Sequence, residues 1–238
     1  MESRELLNHL HQWDQKIILK YNGIGGKPIT YILKVISFFG RETIWLILMA
    51  YFLFIWYDPN LFIHISSTFL IGLVIIASIK RVFDRSRPFE SLTSINILER
   101  RPYSRSFPSW HAYNMISQGL LIGYLMNSLL ITILCVIFAV IGAFSRIQLG
   151  VHYPTDVIFG FLIGIGGFLL SIFLVSPLLF NLIKLIEAYI PYQVEYYRIN
   201  PWLFDNLWYV ILCVIVFSLI FLISIHKIIK DFLIKSRK

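Results

Sequence analysis

Six runs of mostly apolar residues, all but the short first one near the length of a membrane-crossing helix, leave this chain few ways to fold: 43–57, 62–83, 110–126, 129–147, 154–175 and 207–226. Hydrocarbon offers no partner for a backbone N–H or C=O, so a run of about 20 apolar residues crosses it as a helix. Composition agrees, with 58% hydrophobic and only 14% charged residues and a mean hydropathy of +0.74, far outside the range of a soluble domain. The expected fold is an all-α, polytopic transmembrane helix bundle of about six spans, forming a single membrane domain over residues 1–238.

Within that domain, residues 1–40 read as interfacial or packed helices, 43–175 as the central bundle, 177–205 as an interfacial segment and 207–226 as an additional C-terminal span. At the N-terminus, Leu6, Leu10, Trp13 and Ile17 recur at helical spacing against Arg4, Asp14, Lys16 and Lys20. The stripe predicts an amphipathic helix, lying in the membrane interface or packed on the bundle by the same residues. Glycines in 21–27 end it, and 28–39 reads as a packed or half-inserted helix. Asp58-Pro59-Asn60 and Asn127-Ser128 predict tight turns between antiparallel neighbours. Residues 177–205 mix apolar positions with Lys184, Glu187, Glu195 and Arg198, which places them along the interface. The net charge of +8 is concentrated at the ends of apolar runs, a pattern that suits lipid phosphates rather than nucleic acid. Cys135 and Cys213 each sit mid-run and imply neither a disulfide nor a metal framework.

Against this apolar background, the ionisable residues at the ends of the runs stand out, because each costs several kcal/mol beside hydrocarbon unless it faces a polar cavity with partners. His152 and Asp156 are four residues apart, which on a helix puts them on one face, with the carboxylate able to accept from one imidazole nitrogen while the other is free to attack. Lys80, Arg87, Ser109, His111 and Arg146 sit at other borders. Singly, Lys80 and Arg87 read as snorkelling anchors, Ser109 as a helix cap and His111 as a packed histidine. If consecutive spans alternate in direction, however, all seven converge on one membrane face. Three cations and the N–H groups of a helix start form a phosphate cradle, and two histidines supply a nucleophile and an acid. A metal at His152 and Asp156 is disfavoured, since three nearby cations repel a divalent ion and no ligand cluster completes the set.

The pattern of Lys80, six residues, Arg87-Pro88, then Pro108-Ser109-Trp110-His111, then Ser145-Arg146, five residues, His152, three residues, Asp156 resembles the type 2 phosphatidic acid phosphatase family of membrane lipid phosphatases. The resemblance covers about 43–175. It implies a metal-independent phosphatase without cofactor, in which His152 attacks phosphorus, Asp156 orients it and His111 protonates the leaving oxygen, while Lys80, Arg87, Ser109 and Arg146 hold the phosphoryl oxygens. The layout before the first motif is similar to the bacterial undecaprenyl pyrophosphate phosphatases of the family. One position departs: the family commonly has glycine where this chain has Trp110, whose ring is expected at the lipid interface or on the substrate rim of the pocket.

Such a site would need His152 neutral and His111 protonated, so activity is expected to fall at both pH extremes. Two other functions use the same residues. One is a lipid phosphotransferase, and the other a non-catalytic membrane protein binding anionic lipids, against which the His-Asp pair counts. The partner the resemblance implies is a phosphorylated membrane lipid: a polyprenyl pyrophosphate, phosphatidylglycerophosphate, phosphatidic acid or lipid A. The resemblance implies a bacterial inner membrane and an extracytoplasmic site. Lys227, Lys230, Lys235, Arg237 and Lys238 point the other way, because six spans would put them on the site's face and the positive-inside rule would make that face cytoplasmic.

Overall fold

The structure, a computed structural model, describes residues 2–190 and 199–235, with side chains at 5–190 and 199–223. The expectations resting on the side chains of Arg4, Glu195, Arg198 and the C-terminal cations from Lys227 to Lys238 lie outside the described residues. Among the described residues all regular structure is helical: α1 (Glu2–Tyr21), α2 (Gly26–Phe38), α3 (Glu42–Ala50), α4 (Pro59–Phe83), α5 (Pro88–Ser91), α6 (Trp110–Leu125), α7 (Leu129–Gln148), α8 (Pro154–Leu170), α9 (Ser176–Ala188), α10 (Trp202–Asp205) and α11 (Leu207–Lys235). π-helical turns follow α3 at Tyr51–Ile55 and α8 at Ser171–Val175.

Four described stretches are long and apolar enough to cross a membrane: Gly26–Ile55, Pro59–Ser91, Leu129–Gln148 and Pro154–Ala188. The part of α11 whose side chains are described, Leu207–Ile223, is apolar, and α6 has 16 residues, or about 24 Å of helix against a hydrocarbon core of about 30 Å. Two boundaries differ from the sequence reading. The stretch 28–39 joins the first apolar run in one candidate span, and the helix expected to end at Val175 continues to Ala188. Pro177 does not stop it: the proline falls at the start of α9, directly after the π-helical turn Ser171–Val175, and the backbone at Val175 stays helical at φ −75 and ψ −45.

The chain separates into two compact units, Met1–Arg41 with Thr68–Ser171, and Glu42–Ser67 with Ile172–Lys238. In the first, α6 packs on both α7 and α8, and α2 and α1 pack on α7. Ser109 and Ser128 cap α6 and α7, each accepting from an N–H three residues on. The turn at Asn127-Ser128 joins these two helices, with Asn127 at φ 46. Gly160 of α8 lies against the start of α6, where an added Cβ would meet the backbone of Ser109 at under about 3 Å. Farther along α6, the Tyr113 hydroxyl donates to the Thr68 carbonyl of α4 at 2.7 Å.

α1 packs on α7 and α8 through an unexpected face. Ile18 and Asp14 are 0% and 1% exposed, whereas Leu6, Leu10 and Trp13 of the predicted stripe are 63%, 42% and 42% exposed. Asp14, grouped by the sequence pattern with the polar residues, belongs to the buried side. The outward apolar residues leave α1 able to meet lipid while its other face is held by protein.

In the second unit, α3 packs on α11. The Tyr209 hydroxyl donates to the Phe54 carbonyl at 2.6 Å and accepts from the Asn200 amide at 3.0 Å. Ser67 and Ser176 share a hydroxyl hydrogen bond of 2.8 Å, and Tyr57 donates to Glu187 at 3.0 Å.

Candidate active site

The site lies wholly within the first unit, where the ends of α4 and α7 meet the starts of α6 and α8. Its central turn follows from Gly150. At φ +77 this residue takes the left-handed conformation that ends α7, and the amides of Val151 and His152 return to the Arg146 carbonyl at 3.1 and 3.3 Å. The chain is thus folded back so that His152 stands beside Arg146 before Pro154 opens α8. An L-residue at 150 would be strained, and its Cβ would meet the Asn96 carbonyl at 2.6 Å.

His152 is 2% exposed and its two nitrogens meet opposite surroundings. Nε2 lies 3.2 Å from Nη1 of Arg87, and Nδ1 lies 3.5 Å from Oδ2 of Asp156, an ionic contact longer than a well-formed hydrogen bond. A proton on Nδ1 suits the carboxylate, leaving the Nε2 lone pair toward the cation. Burial, then Arg87, Lys80 and Arg146, hold the His152 pKa well below 6.5, so the ring is neutral at neutral pH.

Arg87 precedes the first residue of α5, with its N–H held by Glu90 at 2.9 Å. Its guanidinium is fixed by the carbonyls of Ser104 and Val151, both at 2.7 Å, and by the Ser104 hydroxyl at 3.1 Å. The Lys80 ammonium donates to the carbonyls of Arg105 and Ser106, just before α6. Arg146 donates through Nη1 to Ser37 and to Glu99, each at 2.5 Å, and Glu99 also accepts from Arg41 at 3.0 Å. Burial raises the Glu99 pKa, but Arg146, His111 and Arg41 together outweigh it and bring the group to about 2.

Ser109 has the expected cap geometry. Its hydroxyl accepts from the Ala112 N–H at 3.4 Å and its own N–H donates to the Asp156 carbonyl at 2.8 Å, tying the starts of α6 and α8 together. His111 follows in the first turn, packed against Gly40 and close enough to Glu99, Arg146 and His152 to interact electrostatically with each. Two buried atoms around this point have no hydrogen-bond partner in the protein, Nε2 of His111 and Nε of Arg146, while Nδ1 of His152, also without a hydrogen bond, has Asp156 before it at 3.5 Å. Buried polar atoms normally have partners, so their clustering marks a place built for a polar ligand.

All seven residues expected at the site, the four of the cradle and His152, His111 and Asp156, are therefore brought together. Trp110 is turned toward the helix packing. Its ring stacks on Tyr113 at 5.6 Å and 8° and meets Phe69 of α4 edge-on at 5.3 Å.

The sequence reading missed the carboxylates and hydroxyls behind the cations. Ser106 donates to Asp156 at 2.5 Å. Arg85 donates to Asp156 at 2.7 Å and to Asp14 at 2.6 Å, and Glu99 bridges Arg41 and Arg146. For Asp14 the sequence holds only a faint signal, its place one helical turn before Ile18, and the stripe of Leu6, Leu10 and Trp13 outweighs it. Nothing in the local sequence distinguishes Ser106 or Glu99 within the long polar loop. Among the described residues, no group of three His, Cys, Asp or Glu side chains is placed to share a metal ion.

Residues 60–180 match the PAP2 superfamily. An undecaprenyl-diphosphatase of Sulfolobus acidocaldarius is 32% identical over 147 residues, 62% of this chain and 70% of that protein. A lipid A 4'-phosphatase of Bacteroides thetaiotaomicron is 25% identical over 179 residues, 69% of this chain and 78% of that one. The crystal structure of a transmembrane PAP2-type phosphatidylglycerolphosphate phosphatase from Bacillus subtilis superimposes with a TM-score of 0.56 at 22% identity, covering 78% of this chain and 90% of the other. That of LpxE from Aquifex aeolicus superimposes with a TM-score of 0.58, also at 22% identity, covering 66% and 93%. The likeness to these two shows the fold.

Proposed function

The chain belongs to the PAP2 superfamily, and on that footing we propose that it is an integral-membrane phosphatase that removes phosphate from a lipid phosphate or diphosphate through a phosphohistidine, without a metal. The observation that carries this reading is the placement of His152, with one nitrogen toward Asp156 and the other toward the Arg87 guanidinium. A phosphoryl group held by Arg87, Lys80, Arg146 and the N–H groups at the start of α6 would meet the Nε2 lone pair in line. The new N–P bond forms as the bond from phosphorus to the leaving oxygen breaks, the oxygen of the lipid alcohol in a monophosphate or the bridging oxygen of the departing lipid monophosphate in a diphosphate, and that oxygen takes a proton from His111. Water then attacks phosphorus, the N–P bond breaks, inorganic phosphate leaves and His111 recovers a proton. Asp156 keeps the proton of His152 on Nδ1 and offsets the positive charge the ring gains on phosphorylation.

Lys80, Arg87 and Arg146 take the part that metal ions play in other phosphatases, namely charge neutralisation around the equatorial oxygens. The substrate class follows from the setting, a cationic pocket at the end of apolar helices, and from the lipid phosphates named for the relatives. On this reading the pocket faces the extracytoplasmic side of a bacterial inner membrane. Labelling of a Tyr103→Cys variant by a membrane-impermeant thiol reagent in intact cells tests that side, since Tyr103 is 64% exposed in the loop before α6.

The chemistry is tested by phosphate release from a panel of polyprenyl diphosphate, phosphatidylglycerophosphate, phosphatidic acid and lipid A in excess chelator. His152→Ala should abolish turnover, Asp156→Asn should leave a residue of it, and acid-labile label should be trapped on the wild type. Near-normal release by His152→Ala, or an absolute need for added magnesium, would sink the reading.

A further inference from the structure

Behind Asp156, on the side away from the phosphate cradle, three ionisable groups form a continuous chain across three segments of the protein. Arg85, in the turn between α4 and α5, directs Nη1 to Oδ1 of Asp156 at 2.7 Å and Nη2 to Oδ2 of Asp14 at 2.6 Å. Its guanidinium lies 4.3 Å from the Tyr153 ring centre, which fixes its plane. Asp14 accepts from the Thr155 N–H at 2.9 Å and from its hydroxyl at 2.5 Å, so this carboxylate of α1 caps the first turn of α8 from outside. The Thr155 hydroxyl in turn accepts from Arg85 at 2.7 Å. Asp14 and Asp156 are 1% and 0% exposed.

We propose that Arg85 and Asp14 are positioning residues for the phosphatase reaction, and that Asp14 shares the charge of Arg85 so that Asp156 stays negative enough to support His152. The inference rests on the phosphohistidine reading above. Its argument is one of charge. An Arg85–Asp156 pair alone would be neutral, and the carboxylate would be turned toward the guanidinium rather than toward the imidazole. With Asp14 on the second arm of the guanidinium, the group of Asp14, Arg85 and Asp156 carries one net negative charge. That charge complements the cationic ring formed when His152 takes the phosphoryl group. The geometry matches this division: Asp156 gives Oδ1 to Arg85 and turns Oδ2, held by Ser106 and the Tyr153 N–H, toward Nδ1 of His152. Docking α1 needs no such chain, since Ile18 is already fully buried in the core shared with α7 and α8. A buried carboxylate is costly unless paired, and this one is paired to the arginine that reaches the catalytic aspartate.

The other charged and titratable groups around His152 are Lys80 from α4, Arg87 and Glu99 from the loop, His111 from α6 and Arg146 from α7. All remain unchanged in the variants below. The test is the pH profile of kcat/KM for the purified full-length protein on a small soluble phosphate monoester, from about pH 4 to about pH 9, a range that brackets histidine titration. The acid limb reports protonation of His152. Asp14→Asn removes a negative charge behind Asp156 and should move that limb to lower pH, whereas Arg85→Gln removes a positive charge and should move it to higher pH. Each should also lower kcat by roughly tenfold or more, in keeping with a disturbed hydrogen-bonded support. The double variant restores the net charge and should return the limb close to its wild-type position while kcat stays low. Arg85→Lys keeps the charge but loses the two-armed geometry, so kcat should fall with the limb in place.

A role in holding α1 alone predicts a fall in rate and melting temperature with no movement of the limb, and that result overturns the proposal. So do limbs that move in the same direction in both single variants, or as far in Arg85→Lys as in Arg85→Gln. His152→Ala separates the two levels. If it is inactive and the limbs stay still, the charge-sharing inference alone fails; if it is active, the phosphohistidine reading fails and the inference with it.

Discussion

At the scale of single residues, the cations proposed to face substrate have different supports behind them: Arg146 is paired with the Glu99 carboxylate, whereas Lys80 and Arg87 are held by backbone carbonyls. Glu99 shows the cost of the arrangement and its pH range. Its folded pKa of about 2 lies below the ordinary 4.5, so it contributes stability that is fully present above about pH 4.5 and lost as pH falls through about 2. Thermal melts of the detergent-solubilised protein should lose stability across that window. Glu99→Gln should flatten the loss while melting lower at neutral pH, where Arg41 and Arg146 are left facing each other. Equal melting of the two proteins at neutral pH would contradict the pairing. Trp110 is a second case. Stacked on Tyr113 and packed on Phe69, the ring contributes aromatic contacts worth about 0.5–1.5 kcal/mol per pair beyond its buried area. Trp110→Gly should therefore lower the melting temperature but change turnover of a soluble ester by less than roughly tenfold, about 1.4 kcal/mol of barrier, while His111→Ala should cost far more. A larger loss in Trp110→Gly than in His111→Ala would show that the ring serves the chemistry directly.

Among the elements, the contact of α6 with α8 sets the distance between His111 and His152. Gly160 allows it, because its missing Cβ leaves room for the Ser109 backbone, and the Ser109 N–H then reaches the Asp156 carbonyl. Gly160→Ala would put a Cβ 2.4 Å from the Ser109 carbonyl oxygen, so the two helix starts must move apart, which should lower kcat more than tenfold and cost about 1–3 kcal/mol of stability, since misplaced reacting groups and an overpacked contact are both expensive. Turnover within a factor of two of wild type would mean that the helices adjust freely here. The ends of α4, α6, α7 and α8 were legible in the sequence because polar residues interrupt long apolar runs there, and the spacings from Lys80 to Asp156 placed the cradle residues. The packing of α1 was not. A helix between lipid and protein is apolar on both sides, so the stripe of Leu6, Leu10 and Trp13 hid the face of Asp14 and Ile18 that the protein buries. The continuation of α8 toward Ala188 was hidden for another reason: the polar residues of α9 resemble those of an interfacial segment, although Glu187 has Tyr57 as a partner.

For the molecule as a whole, a group of like charges has been taken out of water and held together by folding. Lys80, Arg87 and Arg146 meet at one site, with Arg87 and Arg146 only 3% and 2% exposed, and their mutual repulsion is present in the folded chain and absent from the unfolded one. An anion that pairs with them binds the first and not the second. The proposed catalytic pocket is therefore also a thermodynamic handle on folding: phosphate or vanadate at a hundredfold over its dissociation constant should stabilise the protein by about 2.7 kcal/mol. Melting curves in phosphate and in chloride at equal ionic strength should differ, and Lys80→Met should narrow the difference; identical curves would refute it. By the same mass action, the product that slows such an enzyme would lengthen its life in the membrane, so that inhibition and preservation are two readings of one binding constant.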